Sequence, residues 1–139
     1  MITIIFLALF SHLKAPDHPV AVILRTEPIQ PYEAIWNATC EIESGFNPYA
    51  IGDKHLKDYS YGIVQIRQSR IDDYYEKTGI RYSVTDMFDP VKSREVFLFY
   101  ASQFHSSDTE AISRAWNAGP NWKKVKASEK YYQKVKAVL

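Results

Sequence analysis

Apolar residues recur at helical spacing along most of this chain, and a glycine closes several of the segments. Ile35, Ala38 and Ile42 lie three or four residues apart and are followed by Gly45. This pattern predicts a helix over residues 32–44 that buries one face and ends where glycine permits a left-handed turn. A chain with several such segments is expected to fold mainly by packing helices against one another.

The same signals predict four more helices. They are expected at residues 70–78, closed by Gly79; from Asp89 to about Phe104; from Asp108 or Thr109 to Gly119; and from Ser128, as capping residue, to Leu139. Residues 61–66 are short and β-branched, and are interpreted as a strand or an extended loop. The predicted fold class is therefore mainly α, an α+β arrangement in a single compact helical domain with a small extended or β section.

The composition restricts the chemistry of the chain. It has 139 residues, 46% of them hydrophobic, and a net charge of +1, which suits one domain with its own core. Because Cys40 is the only cysteine, no disulfide can form within the chain, and its apolar helical context favours a buried core residue over a nucleophile. No metal-ligand spacing of His and Cys and no nucleotide-binding glycine motif occurs, so no metal or cofactor is expected.

The N-terminal residues are interpreted separately from the domain. Residues 2–10 form an apolar run that is too short to span a bilayer. Its length suits a secretory signal cut after Ala15, although no Lys or Arg precedes it, and a structured segment or an incorrect start site is the alternative. We expect a hydrophobic leader at 1–15, a lead-in linker at 16–30 and the helical domain at 31–139.

Glu41 and Glu43 are acidic residues near the end of the first predicted helix. They lie on opposite shoulders of its apolar stripe, so spacing alone does not separate them. Glu43 falls in the last turn, where free carbonyl groups disfavour a charged carboxylate, and Phe46 and residues 63–64 add desolvation. Both effects raise a carboxyl pKa, as a general acid requires. A solvated surface charge is the alternative for any isolated Glu at a helix end.

Four short segments occur in an order that carries a resemblance. Residues 43–52 read Glu-Ser-Gly-Phe-Asn-Pro-Tyr-Ala-Ile-Gly, 60–66 read Ser-Tyr-Gly-Ile-Val-Gln-Ile, 115–120 read Ala-Trp-Asn-Ala-Gly-Pro, and 131–135 read Tyr-Tyr-Gln-Lys-Val. Together they resemble the catalytic motifs of lytic transglycosylases, enzymes similar in fold to goose-type lysozymes. The departures are Ile-Val for Leu-Met at 63–64 and Trp116 for Tyr.

The resemblance implies that residues 31–139 form a lysozyme-like catalytic domain with a substrate cleft for peptidoglycan glycan strands. Glu43 would be its catalytic acid/base. The implied substrate-binding residues are Ser60, Gln65, Asn117, Ala118 and Tyr131. In this scheme Asn117 and the Ala118 backbone would bind an acetamido sugar. The alternatives are structural: a strand residue for Gln65, a helix-end residue for Asn117 and a core residue for Tyr131.

The resemblance also implies a reaction. One Glu protonates the β-1,4 bond between N-acetylmuramic acid (MurNAc) and N-acetylglucosamine (GlcNAc), then takes the proton of the sugar's own C6 hydroxyl, giving 1,6-anhydro-MurNAc without water. Most glycosidases instead use two carboxylates. Goose-type lysozymes carry an Asp at the position held here by Arg67, which favours the transglycosylase. Asp53 keeps a hydrolytic muramidase open as the alternative.

Two further classes of function stay open. One is a non-catalytic wall-binding scaffold, against which the retained Glu43 argues only weakly. The other is nucleic-acid binding through a basic C-terminal run, formed by Lys123, Lys124, Lys126, Lys130, Lys134 and Lys136. Such lysines usually mark a solvated helix face, and they also attract an anionic wall polymer. No nucleic-acid motif accompanies them, so no nucleic acid is expected.

The resemblance places the substrate outside the cytoplasmic membrane. We therefore expect an exported protein of the periplasm or cell envelope, acting as a monomer on glycan strands. Small enzymes of this kind open the wall for secretion, conjugation or phage machinery, and the sequence does not select among these partners.

Overall fold

Five α-helices and two short 3-10 helices make up most of the computed structural model, which describes residues 30–139. The α-helices are α1 (Glu33–Ser44), α2 (Gln68–Thr78), α3 (Pro90–Ala101), α4 (Thr109–Ala118) and α5 (Lys126–Lys136). The first 3-10 helix, Val84–Phe88, precedes α3, and the second, Trp122–Lys124, joins α4 to α5. The mainly α class predicted from the sequence is confirmed.

A small antiparallel sheet follows α1. Its strands are β1 (Ile51–Gly52), β2 (Ser60–Tyr61) and β3 (Ile66–Arg67), in the order β1-β2-β3. Tyr61 pairs with both Ile51 and Ile66. Residues 60–67 are therefore a hairpin, with strand at both ends and a turn between them. Because each strand has only two residues, the backbone ladder provides few of the contacts that hold this region.

Phe97 of α3 lies at the centre of the hydrophobic core and is fully buried. The centroid of its ring is 5.4 Å from that of Trp36 in α1 and 5.0 Å from that of Trp116 in α4. Val64 of the hairpin and Val135 of α5 are buried in the same cluster. The core therefore fixes α1, α4, α5 and the hairpin relative to one another, and these are the elements that carry the site.

Most helix ends follow the sequence signals. The side chains of Asp89 and Asp108 accept hydrogen bonds from the backbone N–H groups of Val91 and Ala111, at 2.8 and 3.0 Å. Such caps satisfy N–H groups that have no partner inside the helix. Gly45 ends α1 in the left-handed conformation with φ of 60°. The predicted starts of α3 and α4 and the predicted end of α1 are thus confirmed.

Other predicted helix ends are wrong. Helix α2 begins at Gln68 rather than Arg70, and α5 ends at Lys136 rather than Leu139. Helix α3 ends at Ala101 rather than near Phe104, since the N–H of Phe104 bonds to the Ala101 carbonyl in a tighter turn, at 3.0 Å. Ser128 does not cap α5, which begins at Lys126. Its buried hydroxyl donates instead to the carbonyl of Val125 at 2.6 Å, so the serine serves the packing of the preceding turn.

Cys40 is completely buried in α1. Burial raises the pKa of its thiol to about 12, so the thiol stays protonated near neutral pH. Nucleophilic chemistry needs the thiolate. The prediction that Cys40 is a core residue is confirmed.

The N-terminal predictions fall largely outside the described residues. The leader at 1–15 lies there entirely, and the linker at 16–30 does so apart from Gln30. Within residues 30–139, no helix combines the length and the apolar character needed to cross a membrane. The leader and the domain boundaries stay predictions.

Candidate active site

A cleft of about 1210 Å³ runs along the domain and is lined by residues of all five α-helices, the sheet and the second 3-10 helix. This volume exceeds the roughly 300–1,000 Å³ of most small-molecule sites, and it suits an extended ligand. The predicted site residues that line it are Glu43, Gln65, Asn117, Ala118 and Tyr131. Ser60 is buried beneath this surface and is absent from the lining.

Glu43 enters the cleft from the last turn of α1. Burial raises the pKa of its carboxyl from 4.5 to about 7, and the negative charge of Asp53 acts in the same direction. A hydrogen bond from Tyr131 and the positive charges of Arg70 and Arg67 oppose the rise. Near neutral pH the group therefore exists in both protonation states, and it can give up and take back a proton.

Tyr131 of α5 reaches Glu43 from near the other end of the chain, because α5 packs against α1. Its hydroxyl donates a hydrogen bond of 2.8 Å to Oε1 of Glu43. Burial, with the neighbouring Glu43 carboxylate, raises the pKa of the hydroxyl well above its ordinary value, so it remains a donor. The bond occupies one carboxyl oxygen and fixes the rotamer of Glu43, which leaves Oε2 for exchange with a ligand.

Gln65 lies in the turn of the hairpin, directly before β3, with a left-handed backbone φ of 55°. Its Nε2 donates to the carbonyl oxygens of Gly62 and Ala50 at 2.9 and 3.3 Å. Its Oε1 accepts from the Ser60 hydroxyl at 2.7 Å. Gly52 leaves room for this amide, because a Cβ there would lie 2.2 Å from Oε1. Ser60 thus holds Gln65, and Gln65 cross-links the hairpin.

Asn117 and Ala118 form the C-terminal end of α4, where Gly119 stops the helix with φ of 72°. Asn117 is exposed in the cleft, whereas the ring of the preceding Trp116 is buried against Phe97. The helix end therefore presents an amide side chain and free backbone groups to the cleft while the indole anchors it in the core. Hydrogen-bonding groups of this kind suit an amide-bearing ligand.

The family model of the transglycosylase SLT domain matches residues 32–138. The match runs from just before α1 to just after α5, so it includes every element described above. The chain belongs to this family. Transglycosylases of the SLT family cleave glycan strands of peptidoglycan, in agreement with the resemblance found in the sequence. No functionally curated protein matches the chain.

Asp53 is one of three aspartates that line the cleft of this SLT domain together with Glu43; the others are Asp73 and Asp108. Its Oδ2 accepts a hydrogen bond of 2.7 Å from Arg67 Nη2, and this contact holds the pKa of Asp53 below its ordinary value. The carboxylate is consequently charged and already paired. Glu43 and Asp53 thus differ in kind, since Glu43 is protonatable near neutral pH and Asp53 is not.

Ser44 ties the C-terminal end of α1, directly after Glu43, to the hairpin of the SLT domain. Its hydroxyl donates to the carbonyl of Ile63 at 2.7 Å and accepts from the N–H of Asn47 at 3.0 Å. The resemblance to the family motif assigned no role to Ser44. The sequence feature that could have identified this role is its position directly after Glu43 at a helix end, where a short hydroxyl side chain reaches neighbouring backbone groups.

Arg70 of α2 is a site residue that the motifs did not identify. Its guanidinium lies over the rings of Tyr100 and Trp116, 4.7 and 4.3 Å from their centroids. Its Nη2 also donates to the Trp116 carbonyl at 2.8 Å, directly before Asn117. A usable sequence signal is helical spacing, because the cleft-lining charges of α2 lie three or four residues apart: Arg70, Asp73 and Lys77.

The part of the chain that the structure describes contains no candidate metal-binding site. Among residues 30–139 there is no group of three or more His, Cys, Asp or Glu side chains arranged to hold a metal ion. The side chains that line the cleft offer carboxyl, hydroxyl, amide and cationic groups.

Proposed function

We propose that this chain is a peptidoglycan lytic transglycosylase that cleaves the MurNAc–GlcNAc β-1,4 bond and forms 1,6-anhydro-MurNAc. The observation that carries the proposal is the unlike pair of carboxyl groups in one cleft. Glu43 has a pKa of about 7, whereas Asp53 is charged and paired with Arg67. Glu43 is therefore suited to donate a proton and then to accept one. Asp53 is not free to act as a base.

In the proposed reaction, the Glu43 carboxyl first donates its proton to the glycosidic oxygen, and the C1–O bond breaks. The neighbouring acetamido group of MurNAc assists the positive centre at C1, while Asn117 and the Ala118 backbone hold that acetamido sugar. The ionised Glu43 then accepts the proton of the C6 hydroxyl as this oxygen closes on C1. Because the nucleophile belongs to the substrate, the second step is intramolecular and needs no water.

Tyr131, Gln65 and Ser60 support this reaction in the proposal. Tyr131 holds Oε1 of Glu43 and so aims the other oxygen at the bond. Gln65 lines the cleft beside the reacting sugar, and Ser60 acts on the substrate only through its hydrogen bond to Gln65. Positioning of this kind lowers the entropy cost of reaching the transition state.

Hydrolysis by a muramidase is the second candidate, and one observation favours it. Asp53 lines the same cleft as Glu43, and its charge raises the pKa of Glu43, so the two groups interact. Release of Asp53 from Arg67 on substrate binding would give a base for an attacking water. A scaffold that binds the wall without cutting it is the third candidate.

Peptidoglycan lies outside the cytoplasmic membrane, so the proposal includes export to the periplasm or cell envelope by the leader at 1–15. It also includes action as a monomer, since one chain supplies all the residues named above. A small domain that opens the wall could serve a secretion, conjugation or phage apparatus that crosses it.

The test is mass spectrometry of the muropeptides released from purified peptidoglycan by wild type and by Glu43→Gln. The matched control is Glu41→Gln, on the same helix but exposed and outside the cleft lining. We expect anhydro-ended products from wild type and from Glu41→Gln. Loss of the acid/base should reduce their formation roughly 10²–10⁴-fold or more in Glu43→Gln.

Other results would either identify another function or overturn the assignment of Glu43. Reducing-end products that disappear with Glu43→Gln would identify a muramidase. Binding to the wall with no products from any of the three proteins would leave the scaffold. Undiminished anhydro products from Glu43→Gln would overturn the assignment of Glu43.

A further inference from the structure

Arg70 of α2 lies in a corner formed by two aromatic rings. The ring centroids of Tyr100 and Trp116 are 6.4 Å apart, and the ring planes meet at 64°. The guanidinium of Arg70 lies over both rings. Because a guanidinium is planar and weakly hydrated, it stacks on aromatic faces more readily than an ammonium does. The corner therefore fixes the orientation of the Arg70 side chain.

The two rings of this corner are themselves held in place. The hydroxyl of Tyr100 donates to Oδ2 of Asp73 and is 3.3 Å from the backbone carbonyl oxygen of Arg70. The indole of Trp116 is buried against Phe97 in the core. Neither ring can turn away without breaking a hydrogen bond or opening the core, so α3 and α4 place Arg70 as firmly as its own helix does.

Arg70 binds the C-terminal end of α4 from this position. Its Nη2 donates to the Trp116 carbonyl at 2.8 Å, and this carbonyl is one of the last four of the helix, which have no partner inside it. A cation at this end of a helix is also favoured by the helix dipole. The next residue is Asn117, which is exposed in the cleft. The contact therefore sets the position of the Asn117 end of α4 relative to α2.

Arg70 also contributes a positive charge to the surroundings of Glu43. Burial raises the pKa of Glu43, and the charge of Arg70 opposes that rise. The other groups that act on this carboxyl are Tyr131 of α5 and, from the sheet side of the cleft, Asp53 and Arg67, which are paired with each other. Within residues 30–139, Arg70 takes part in no ion pair. No acid of these residues neutralises its charge in place, so the charge remains available to Glu43.

We propose that Arg70 is a positioning residue of the reaction, which holds the Asn117 end of α4 in place for the sugar and stabilises the carboxylate that Glu43 becomes when it has donated its proton. The inference rests on the proposed function, since both tasks serve the acid/base role of Glu43. Neither task requires Arg70 to touch the substrate. Arginine suits both, because its planar guanidinium stacks, donates hydrogen bonds in its own plane and keeps its charge at once, whereas a lysine ammonium is a point charge on a flexible stem.

The test separates the two tasks with two substitutions. Arg70→Gln removes both the charge and the stacking, whereas Arg70→Lys keeps the charge and loses the planar stack. The matched control is Arg81→Gln, because Arg81 also stacks on an aromatic ring, 3.9 Å from the centroid of Tyr75, but is exposed and outside the cleft lining. Initial rates of product release from soluble glycan strands, measured as a function of pH, give kcat and KM for each protein, and thermal unfolding gives its stability.

We expect Arg70→Gln to move the alkaline limb of the kcat/KM profile to higher pH. Loss of the positive charge raises the pKa of Glu43, and the acid acts in its protonated form. Arg70→Lys should leave the limb where it is in wild type, because it retains the charge. KM should rise about tenfold in both Arg70 variants, the effect of one lost hydrogen bond to a charged group. Arg81→Gln should match wild type in both respects.

An alkaline limb that stays in place in Arg70→Gln would overturn the inference, because a purely structural residue lowers stability without moving the limb. A wild-type KM in Arg70→Lys would overturn it as well, and this variant decides alone if Arg70→Gln does not fold. A limb that moves equally in Arg81→Gln would show an effect of net charge and would also overturn it. These outcomes leave the proposed function intact, whereas a wild type that releases no products would remove the proposed function and this inference together.

Discussion

The cleft has two walls that are held in different ways. The helical wall, formed by α1, α4 and α5, is anchored by buried rings and aliphatic side chains such as Trp116 and Val135. The hairpin wall, residues 46–67, has strands of two residues and is held both by Val64 and Ile66, which are buried in the same core, and by side-chain hydrogen bonds around Gln65. All the non-glycine residues with positive φ within 30–139 also lie in the hairpin wall: Phe46, Asp53 and Gln65.

The difference assigns separate tasks to the two walls. Packing is spread over many contacts, so the helical wall gives Glu43 and Tyr131 a stable frame. The hairpin wall adds a few polar contacts and close approaches that glycine permits to its buried apolar side chains, so single changes at those contacts should have large effects. It nevertheless acts on the same carboxyl, because the charges of Asp53 and Arg67 both influence the pKa of Glu43.

The largest effect is expected from Gly62→Ala in the hairpin wall. Gly62 has φ of 77°, and a Cβ would lie 1.8 Å from the carbonyl oxygen of Met87, which is backbone and cannot move aside. Left-handed strain and overpacking together should lower the free energy of unfolding by about 3 kcal/mol or more. Urea denaturation followed by circular dichroism measures this.

Gly79→Ala, outside the hairpin wall, is the matched control. Gly79 ends α2 with nearly the same φ, 75°, but nothing lies within 4 Å of the position that a Cβ would occupy there. We expect a loss of about 1 kcal/mol from backbone strain alone. Equal losses at the two glycines would mean that the close approach of Gly62 to Met87 is unimportant for the stability of the hairpin wall.

Gln65→Ala should lower the free energy of unfolding by about 2 kcal/mol, because it leaves the carbonyls of Gly62 and Ala50 and the Ser60 hydroxyl without this partner. Gln133→Ala on the exposed face of α5 serves as the comparison, with a change near zero. Thermal unfolding of both variants provides the measurement. A Gln65→Ala protein as stable as Gln133→Ala would contradict the importance of polar contacts in the hairpin wall.

Tyr131→Phe should raise the pKa of Glu43 above about 7, since it removes a hydrogen bond that favours the charged carboxylate. The acid must be protonated to act, so activity is lost as pH rises through this pKa. The alkaline limb of the pH–rate profile should therefore move to higher pH in the variant. Tyr132→Phe, one residue along α5, should leave the limb in place, and a shift in both variants would count against the assigned contact.

Asp53→Asn should act on the same carboxyl in the opposite direction and have the smallest effect. Removing its negative charge lowers the pKa of Glu43, so the alkaline limb should move to lower pH. For a transglycosylase the rate at the optimum should fall by far less than the roughly 10²–10⁴-fold caused by losing a general base. A loss of that size, with reducing-end products in wild type, would support the muramidase instead.

Local signals were enough to locate the helices of this domain. Helical spacing with a glycine stop defined α1, and aspartate caps defined the starts of α3 and α4, because a cap depends on residues within one turn of it. The prediction that Ser128 caps α5 was wrong for the same reason, since a serine before an amphipathic segment has the local features of a cap. Its hydroxyl is instead used by Arg114, which lies 14 residues earlier in the chain.

The sequence by itself determined the family and the helical fold, and it singled out Glu43 as the proposed acid/base, because ordered motifs and apolar periodicity are properties of the chain. Only the tertiary structure decided what surrounds that carboxyl: Tyr131 lies 88 residues away in the chain yet 2.8 Å away in space. The burial of Glu43 likewise depends on elements far apart in sequence. The same holds for the pairing of Asp53 with Arg67 and for the stacking of Arg70 on Tyr100 and Trp116. A pKa is set by distances and by exclusion of water, and packing fixes both of these.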